Sequence, residues 1–136
     1  MAESPLDKNT VWAGTDDGNL QVTRDGGKTW SKVNENVPGL PANTWVTFVE
    51  PSPHDANTAF VTFDGHRTGD MNTYLYKTTD GGETWTDIGD TFIFGYSLSV
   101  RQDLVNANLL FLGTEFGLYI SLDGGSSWAP FRNNLP

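Results

Sequence analysis

The residues best suited to chemistry in this 136-residue chain are carboxylates, and two of them lie in one long polar segment, "FDGHRTGDMNTY" at 63–74. A third lies in the shorter segment "TEFG" at 114–117. Hydrolysis of a glycosidic bond needs two carboxyl groups about 5 to 10 Å apart, one as acid and the other as base or nucleophile. The sequence therefore offers three candidate catalytic residues for a glycoside hydrolase: Asp64, Asp70 and Glu115.

Similar polar segments supply candidate ligand-binding residues, because long polar loops on a rigid scaffold commonly carry function. These candidates are His66 and Arg67 in the long segment and Asp16 and Asp17 in "TDDGN" at 15–19. The spacing of His66 with its neighbouring aspartates matches no metal-ligand motif. The chain also has no cysteine, which excludes a thiolate nucleophile and a disulfide. We therefore predict no metal site and no cofactor.

Composition and charge narrow the classes of partner. A hydrophobic content of 37% with 18% charged residues is typical of one folded domain. The formal net charge of −9 repels phosphate backbones and anionic lipid, so we predict neither a nucleic-acid nor a membrane partner. The polar start "MAESPLDKNT" has no signal-peptide pattern, and the compartment stays open.

A threefold internal repeat indicates which elements position these candidates. The octets "TRDGGKTW" at 23, "TTDGGETW" at 78 and "SLDGGSSW" at 121 match in residue type at six of their eight positions. Successive octets start 55 and 43 residues apart, which is close to the repeat length of about 40 to 50 residues that is typical of propeller blades. The matched positions are Thr23, Asp25, Gly27, Thr29 and Trp30, then Thr78, Asp80, Gly82, Thr84 and Trp85, then Ser121, Asp123, Gly125, Ser127 and Trp128.

Each octet reads as the turn of a β-hairpin, because alternating segments such as "YLYKT" and "WTDI" flank it. The glycines supply positive φ, the aspartate accepts hydrogen bonds from the loop, and the tryptophan covers the turn. Upstream strands such as "AFVTF" and "WVTFVEP" complete four strands per unit. We predict an all-β fold of four-stranded antiparallel propeller blades at 1–40, 41–90 and 91–136.

The octets resemble the Asp-boxes, or BNR repeats, of sialidases, xyloglucan-degrading glycosidases and sortilin (VPS10) propellers. Longer stretches such as "LLFLGTEFGLYISLDGGSSW" are most similar to the bacterial sortilin-like repeat proteins that are labelled glycosyl hydrolases. The resemblance implies that the box residues are structural and lie at the blade periphery, and that the parent family is exported. It argues against a sialidase, because the arginines that such enzymes converge on a sugar are scattered here: Arg24, Arg67, Arg101 and Arg132.

Measured against this family, the chain supplies about three blades of an incomplete ring, and the innermost strand of the first blade is missing or partial. Unpaired blade faces favour association. We therefore expect the ring to be completed either by a second copy of the chain or by the missing blades of a longer parent chain.

Two functions remain open at this point. The first is a binding or scaffolding module without chemistry, which recognises a glycan or protein ligand through the segment at 64–73. The second is part of a carbohydrate-active propeller that uses the carboxylates named above. Two tryptophans outside the octets, Trp12 and Trp45, could stack on sugars, although their apolar strands favour packing in the core. The segment 33–45 is predicted to be an ordered crossing between blades, and a docking surface is its alternative reading.

Overall fold

The computed structural model describes residues 1–89 and 97–131, except for the side chain of Leu98. Within these ranges, twelve strands form three four-stranded antiparallel sheets. The first sheet contains β1 (Ala2–Glu3), β2 (Val11–Gly14), β3 (Leu20–Thr23) and β4 (Ser31–Lys32). The second contains β5 (Trp45–Pro51), β6 (Ala59–Gly65), β7 (Asp70–Thr78) and β8 (Thr86–Asp87). The third contains β9 (Ser97–Gln102), β10 (Leu110–Thr114), β11 (Gly117–Ser121) and β12 (Ala129–Pro130).

The predicted all-β fold is confirmed. Each sheet runs in chain order from its first strand to its fourth, which is the meander of a propeller blade. The helical structure in the described ranges consists of two 3₁₀ turns, Asn34–Asn36 and His66–Thr68. No described residue belongs to a helix that is long and apolar enough to cross a membrane.

The three sheets lie side by side, and the alternation of side chains along β6 shows why. Ala59, Val61 and Phe63 belong to the apolar cluster shared with the first sheet, whereas Phe60 belongs to the cluster shared with the third. Successive residues of a strand point to opposite faces, so a strand between two neighbouring sheets is buried on both faces, and from Ala59 to Asp64 every residue of β6 is buried. The second sheet is therefore the middle layer of three.

Two details bear on the sequence prediction: the innermost strand of the first sheet is partial, which was one of the two alternatives, and the long polar segment differs from the predicted loop. The first sheet has an innermost strand, but it is only two residues long and pairs Ala2 with Trp12 and Glu3 with Val11. The long segment at 64–73 is mainly an extended hairpin, because β6 continues to Gly65 and β7 starts at Asp70. A register shift between Phe63 and Gly65 accommodates the intervening 3₁₀ turn.

Candidate functional site

The three octets form the same hydrogen-bonded turn between the third and fourth strands of each sheet. In the first, the Asp25 carboxylate accepts the Thr29 N–H at 2.9 Å and the hydroxyls of Thr29 and Thr23 at 2.5 and 2.8 Å. The Thr23 hydroxyl in turn accepts the Gly27 N–H at 2.9 Å. The second and third octets repeat these bonds around Asp80 and Asp123.

The chemistry of these aspartates is that of a turn. The hydroxyl of Thr29, Thr84 or Ser127, and then the backbone N–H of the same residue, lowers the pKa of Asp25, Asp80 and Asp123 to about 2. A carboxylate held in its ionised form in this way is a poor general acid, which needs a raised pKa. All three therefore serve as acceptors that fasten their hairpins.

The candidate residues of the segment 63–74, here called the rim hairpin, lie at the end of the second sheet opposite its octet. Asp64 is only 5% exposed and accepts the His66 N–H at 2.8 Å, and its other oxygen contacts Nδ1 of the His66 ring. Asp70 accepts the Tyr74 hydroxyl at 2.5 Å and the Asn72 N–H at 3.1 Å. Because of the Tyr74 hydroxyl, the pKa of Asp70 lies below its usual value. The carboxylates thus hold the hairpin in shape.

Trp45 is the side chain around which this rim is organised. It pairs across the sheet with Asp64, and the Arg67 guanidinium lies 4.0 Å from the centroid of its ring. The expectation that both non-octet tryptophans pack in the core holds for Trp12, which is 1% exposed, but is wrong for Trp45, which is half-buried. The physical reason is position, because Trp45 starts its strand at the solvent-facing edge of the sheet.

The turn that carries Asp16 and Asp17 lies against the crossing that leads to Trp45. The Val46 N–H donates to the Thr15 carbonyl at 3.1 Å, and a Cβ built on Gly18 would lie 2.9 Å from Cα of Asn43. Asp17 accepts the Thr15 hydroxyl, which lowers its pKa, while Asp16 is exposed. This turn and the rim hairpin therefore flank the same stretch, 43–45.

A groove of about 510 Å³ lies beside this stretch, and most of its lining belongs to the segment 33–45, for which a docking surface was the alternative prediction. Its lining includes Asp17, Asn19, Lys32, Glu35 and Asn43, among other residues of the turn and the crossing. Asn43 has a φ of 64°, an unusual value for a residue other than glycine, and such conformations cluster at ligand sites. The signal in the sequence for this groove was the concentration of Asn, Pro and Gly between 34 and 43.

Glu115 lies apart from the other two carboxylate candidates, on the turn between β10 and β11 of the third sheet. Its Oε1 atom is buried and has no hydrogen-bond partner among the described residues. Elsewhere, burial raises the pKa of Glu50, which accepts the Gln102 N–H at 3.2 Å between the second and third sheets. The structure thus joins Asp64 and Asp70 in one hairpin and places Glu115 on another blade.

Among the residues that the structure describes, the arginines and acidic groups form no further cluster. Arg24 donates to Asn57, and Arg101 lies 3.8 Å from Glu50 with its guanidinium over Phe48, so these two serve contacts between sheets. Arg132 lies outside the described residues. Across residues 1–89 and 97–131, no three His, Cys, Asp or Glu side chains are grouped to hold a metal ion.

Comparison with known proteins agrees with this geometry. The model of the BNR/Asp-box repeat matches residues 21–32, which span the first octet. A probable oligoxyloglucan-reducing end-specific xyloglucanase of Neosartorya fischeri is 35% identical over 89 residues, which are 65% of this chain and 10% of that protein. The chain thus spans about a tenth of the length of this curated relative.

Two solved structures show the same fold. An ancestral GH74 enzyme superposes on 98% of this chain with a TM-score of 0.71 and 22% identity, over 18% of its own length. YCF48 bound to D1 peptide superposes on 93% of this chain with a TM-score of 0.67 and 23% identity, over 38% of its own length. The repeat match and these likenesses together show an all-β chain of propeller-type blades that carries the BNR/Asp-box repeat.

Proposed function

We propose that this chain is a binding module of the Asp-box propeller type that recognises a carbohydrate at one rim and carries out no chemistry of its own. The observation that carries the proposal is the half-buried Trp45 indole covered by the Arg67 guanidinium, in a hairpin that Asp64 and Asp70 fix. Among Asp-box propellers, we place the chain nearest the bacterial sortilin-like repeat proteins, on the residues quoted above.

The chemistry of the rim favours a sugar. A pyranose ring offers apolar C–H faces and a belt of hydroxyls, so its site needs an aromatic face together with polar side chains of both donor and acceptor type. The rim, which comprises the rim hairpin, the turn 15–19 and the stretch 43–45 between them, supplies the Trp45 ring and the Arg67 donors. It also supplies the amide of Asn43 and the carboxylate of Asp17. The net charge of −9 makes polyanionic ligands unfavourable.

The similar proteins support a ligand of this class. The curated relative is a probable oligoxyloglucan-reducing end-specific xyloglucanase, so a β-glucan carrying xylose branches is the first ligand to test. The YCF48 structure with its bound D1 peptide shows that a propeller of this fold also serves as a peptide-binding module. We therefore take xyloglucan oligosaccharides as the ligand and peptides as the alternative outcome.

Substitution of Trp45 tests the proposal. Isothermal titration of the chain with xyloglucan oligosaccharides, selected from a glycan array, should give binding without release of shorter products. Trp45→Ala should weaken the affinity at least about tenfold, since buried aromatic anchors dominate binding energy. Leu104→Ala is the matched control, because this exposed leucine lies in the turn between β9 and β10. Equal affinity of Trp45→Ala and the wild type, or binding of peptides alone, would refute the proposal.

A second candidate function is a contribution to the cleft of a glycoside hydrolase. The observation that favours it is the buried Oε1 atom of Glu115, which has no hydrogen-bond partner among the described residues and so, unlike the octet aspartates, does not fasten a turn. The similarity to xyloglucanases agrees with it. Release of shorter oligosaccharides by the chain, abolished by Glu115→Gln or Asp64→Asn with binding retained, would establish this function in place of the first.

A further inference from the structure

The two junctions between neighbouring sheets follow one rule. We call the residue three positions after an octet tryptophan the knob, and the second glycine of an octet the socket. At each junction, the knob of one sheet packs on the socket of the next octet. A Cβ built on the socket Gly82 would lie 3.0 Å from Val33, and one built on Gly125 would lie 2.8 Å from Ile88. The sockets have φ values of 94° and 99°, so glycine is required both by conformation and by this close approach.

Polar contacts fix the same junctions. At the first, the Asn36 amide donates to the Gly82 carbonyl at 3.0 Å, and the Arg24 guanidinium covers Gly81 and donates to Asn57. At the second, the Trp128 indole N–H donates to the Ile88 carbonyl at 2.7 Å. The second and third octets therefore each dock on the sheet that precedes them.

The first octet has the same socket without a knob. Gly27 has a φ of 96°, but nothing approaches its Cβ position except its own Trp30, at 4.0 Å. The octet tryptophans differ accordingly, since Trp85 and Trp128 are 6% and 8% exposed whereas Trp30 is 40% exposed. The octet face of the first sheet is therefore exposed, whereas the corresponding faces of the second and third sheets are buried against the preceding sheet.

The third sheet has the matching knob without a socket. Phe131 occupies the knob position and is 53% exposed. Leu122, which corresponds to Arg24 in the octet alignment, is 74% exposed, and Leu118 on the same sheet is 37% exposed. The alternation along β11 buries Tyr119 against the second sheet and therefore turns Leu118 to the open side. These three residues form an apolar patch at the position that Arg24 and Val33 occupy in the first junction.

We propose that a second copy of this chain docks its first sheet on the third sheet of the other copy, with Phe131 seated on Gly27 and Leu122 over Gly26. The chemistry of the occupant follows from the two internal junctions, in which an Asp-box blade covers this face, and a second copy offers such a blade with its socket Gly27 open. The interface is heterologous, so copies join head to tail, and a pair in which both junctions form is closed. The proposal is independent of the ligand at the rim.

Light scattering of the intact chain tests the docking. At about 100 µM the wild type should have twice the 14.9 kDa mass of one chain. Phe131→Asp and Trp30→Glu should each give a single chain, because each buries a charge in the junction. Leu104→Asp is the control, since it adds the same charge at an exposed leucine outside the patch and should leave the mass unchanged.

Mixing the two variants makes the test specific for head-to-tail docking. Phe131→Asp keeps an intact first sheet and Trp30→Glu keeps an intact third sheet, so an equimolar mixture should regain a pair through one good junction. Circular dichroism checks that each variant is folded. A wild type that stays a single chain, assembly that survives Phe131→Asp, or a mixture of folded variants that stays dissociated would overturn the proposal.

Discussion

At the scale of single residues, the role of each carboxylate in this chain is determined by its hydrogen-bond partners. The sequence could predict that Asp25, Asp80 and Asp123 serve turns, because a residue repeated in every unit is suited to scaffolding. It could not predict the partners of Asp64 and Asp70, because these depend on the register of β6 against β7. Nor could it predict the edge position of Trp45, because the apolar residues that follow Trp45 in its strand favoured packing in the core.

The first prediction concerns the pH dependence of the octet turns. Asp80 has a pKa of about 2 in the folded chain against 3.8 as a free side chain, so its stabilising effect is complete above about pH 4. It is lost as the pH falls from about 4 to about 2, because protonation removes the acceptor. Asp80→Asn should therefore lower the urea midpoint at pH 7 and flatten the dependence of the midpoint on pH between 4 and 2.

The control for this prediction is Asp16→Asn, which changes the same charge at an exposed aspartate outside the octets. Its urea midpoint at pH 7 should stay near that of the wild type, since surface substitutions change stability by no more than about 0.5 kcal/mol. Identical pH profiles for Asp80→Asn and the wild type would contradict the role of the turn carboxylate.

At the scale of elements, the alternation of apolar residues was sufficient to predict most strands, and the octets fixed the hairpins that join them. It predicted "AFVTF" as a strand but not its extent to Gly65, because "DGH" reads as a turn. The crossing at 33–45 was predicted as ordered, and a side-chain amide of its 3₁₀ turn, Asn36, holds the next octet. The groove beside it arises from tertiary contact, which no local pattern records.

The second prediction separates the conformational from the packing requirement of the socket glycines. Gly125→Ala should cost about 2 kcal/mol or more of unfolding free energy, from positive φ and from the overlap of the new Cβ with Ile88. Gly27→Ala is matched in φ but meets only Trp30, so in the single chain it should cost about 1–2 kcal/mol. Urea unfolding at protein concentrations where the chain is dissociated measures both.

A smaller loss for Gly125→Ala than for Gly27→Ala would contradict the knob-and-socket junction. Equal losses would mean that the junction relaxes around the added methyl group and that packing on the socket contributes nothing. The difference between the two variants therefore reports the packing at the second junction.

At the scale of the whole molecule, repeat spacing predicted that the sheets stand side by side, and the three stacked sheets have this arrangement. The repeat could not predict that equivalent residues of the three sheets differ in burial. Trp30 and Phe131 occupy octet-related positions whose counterparts are more buried, and only the structure shows which faces are open. The rim function also depends on a difference between the sheets, because the extended hairpin belongs to the middle sheet alone within the described residues.

The most direct test of the central claim is a titration of the ¹⁵N-labelled chain with xyloglucan oligosaccharides, followed by amide chemical shifts. The account predicts shift changes at 15–19, 43–45 and 64–74, with the Trp45 indole among the most affected signals and with the sugar intact at the end. Shift changes confined to the octet turns, none at the rim, or cleavage of the sugar would contradict it.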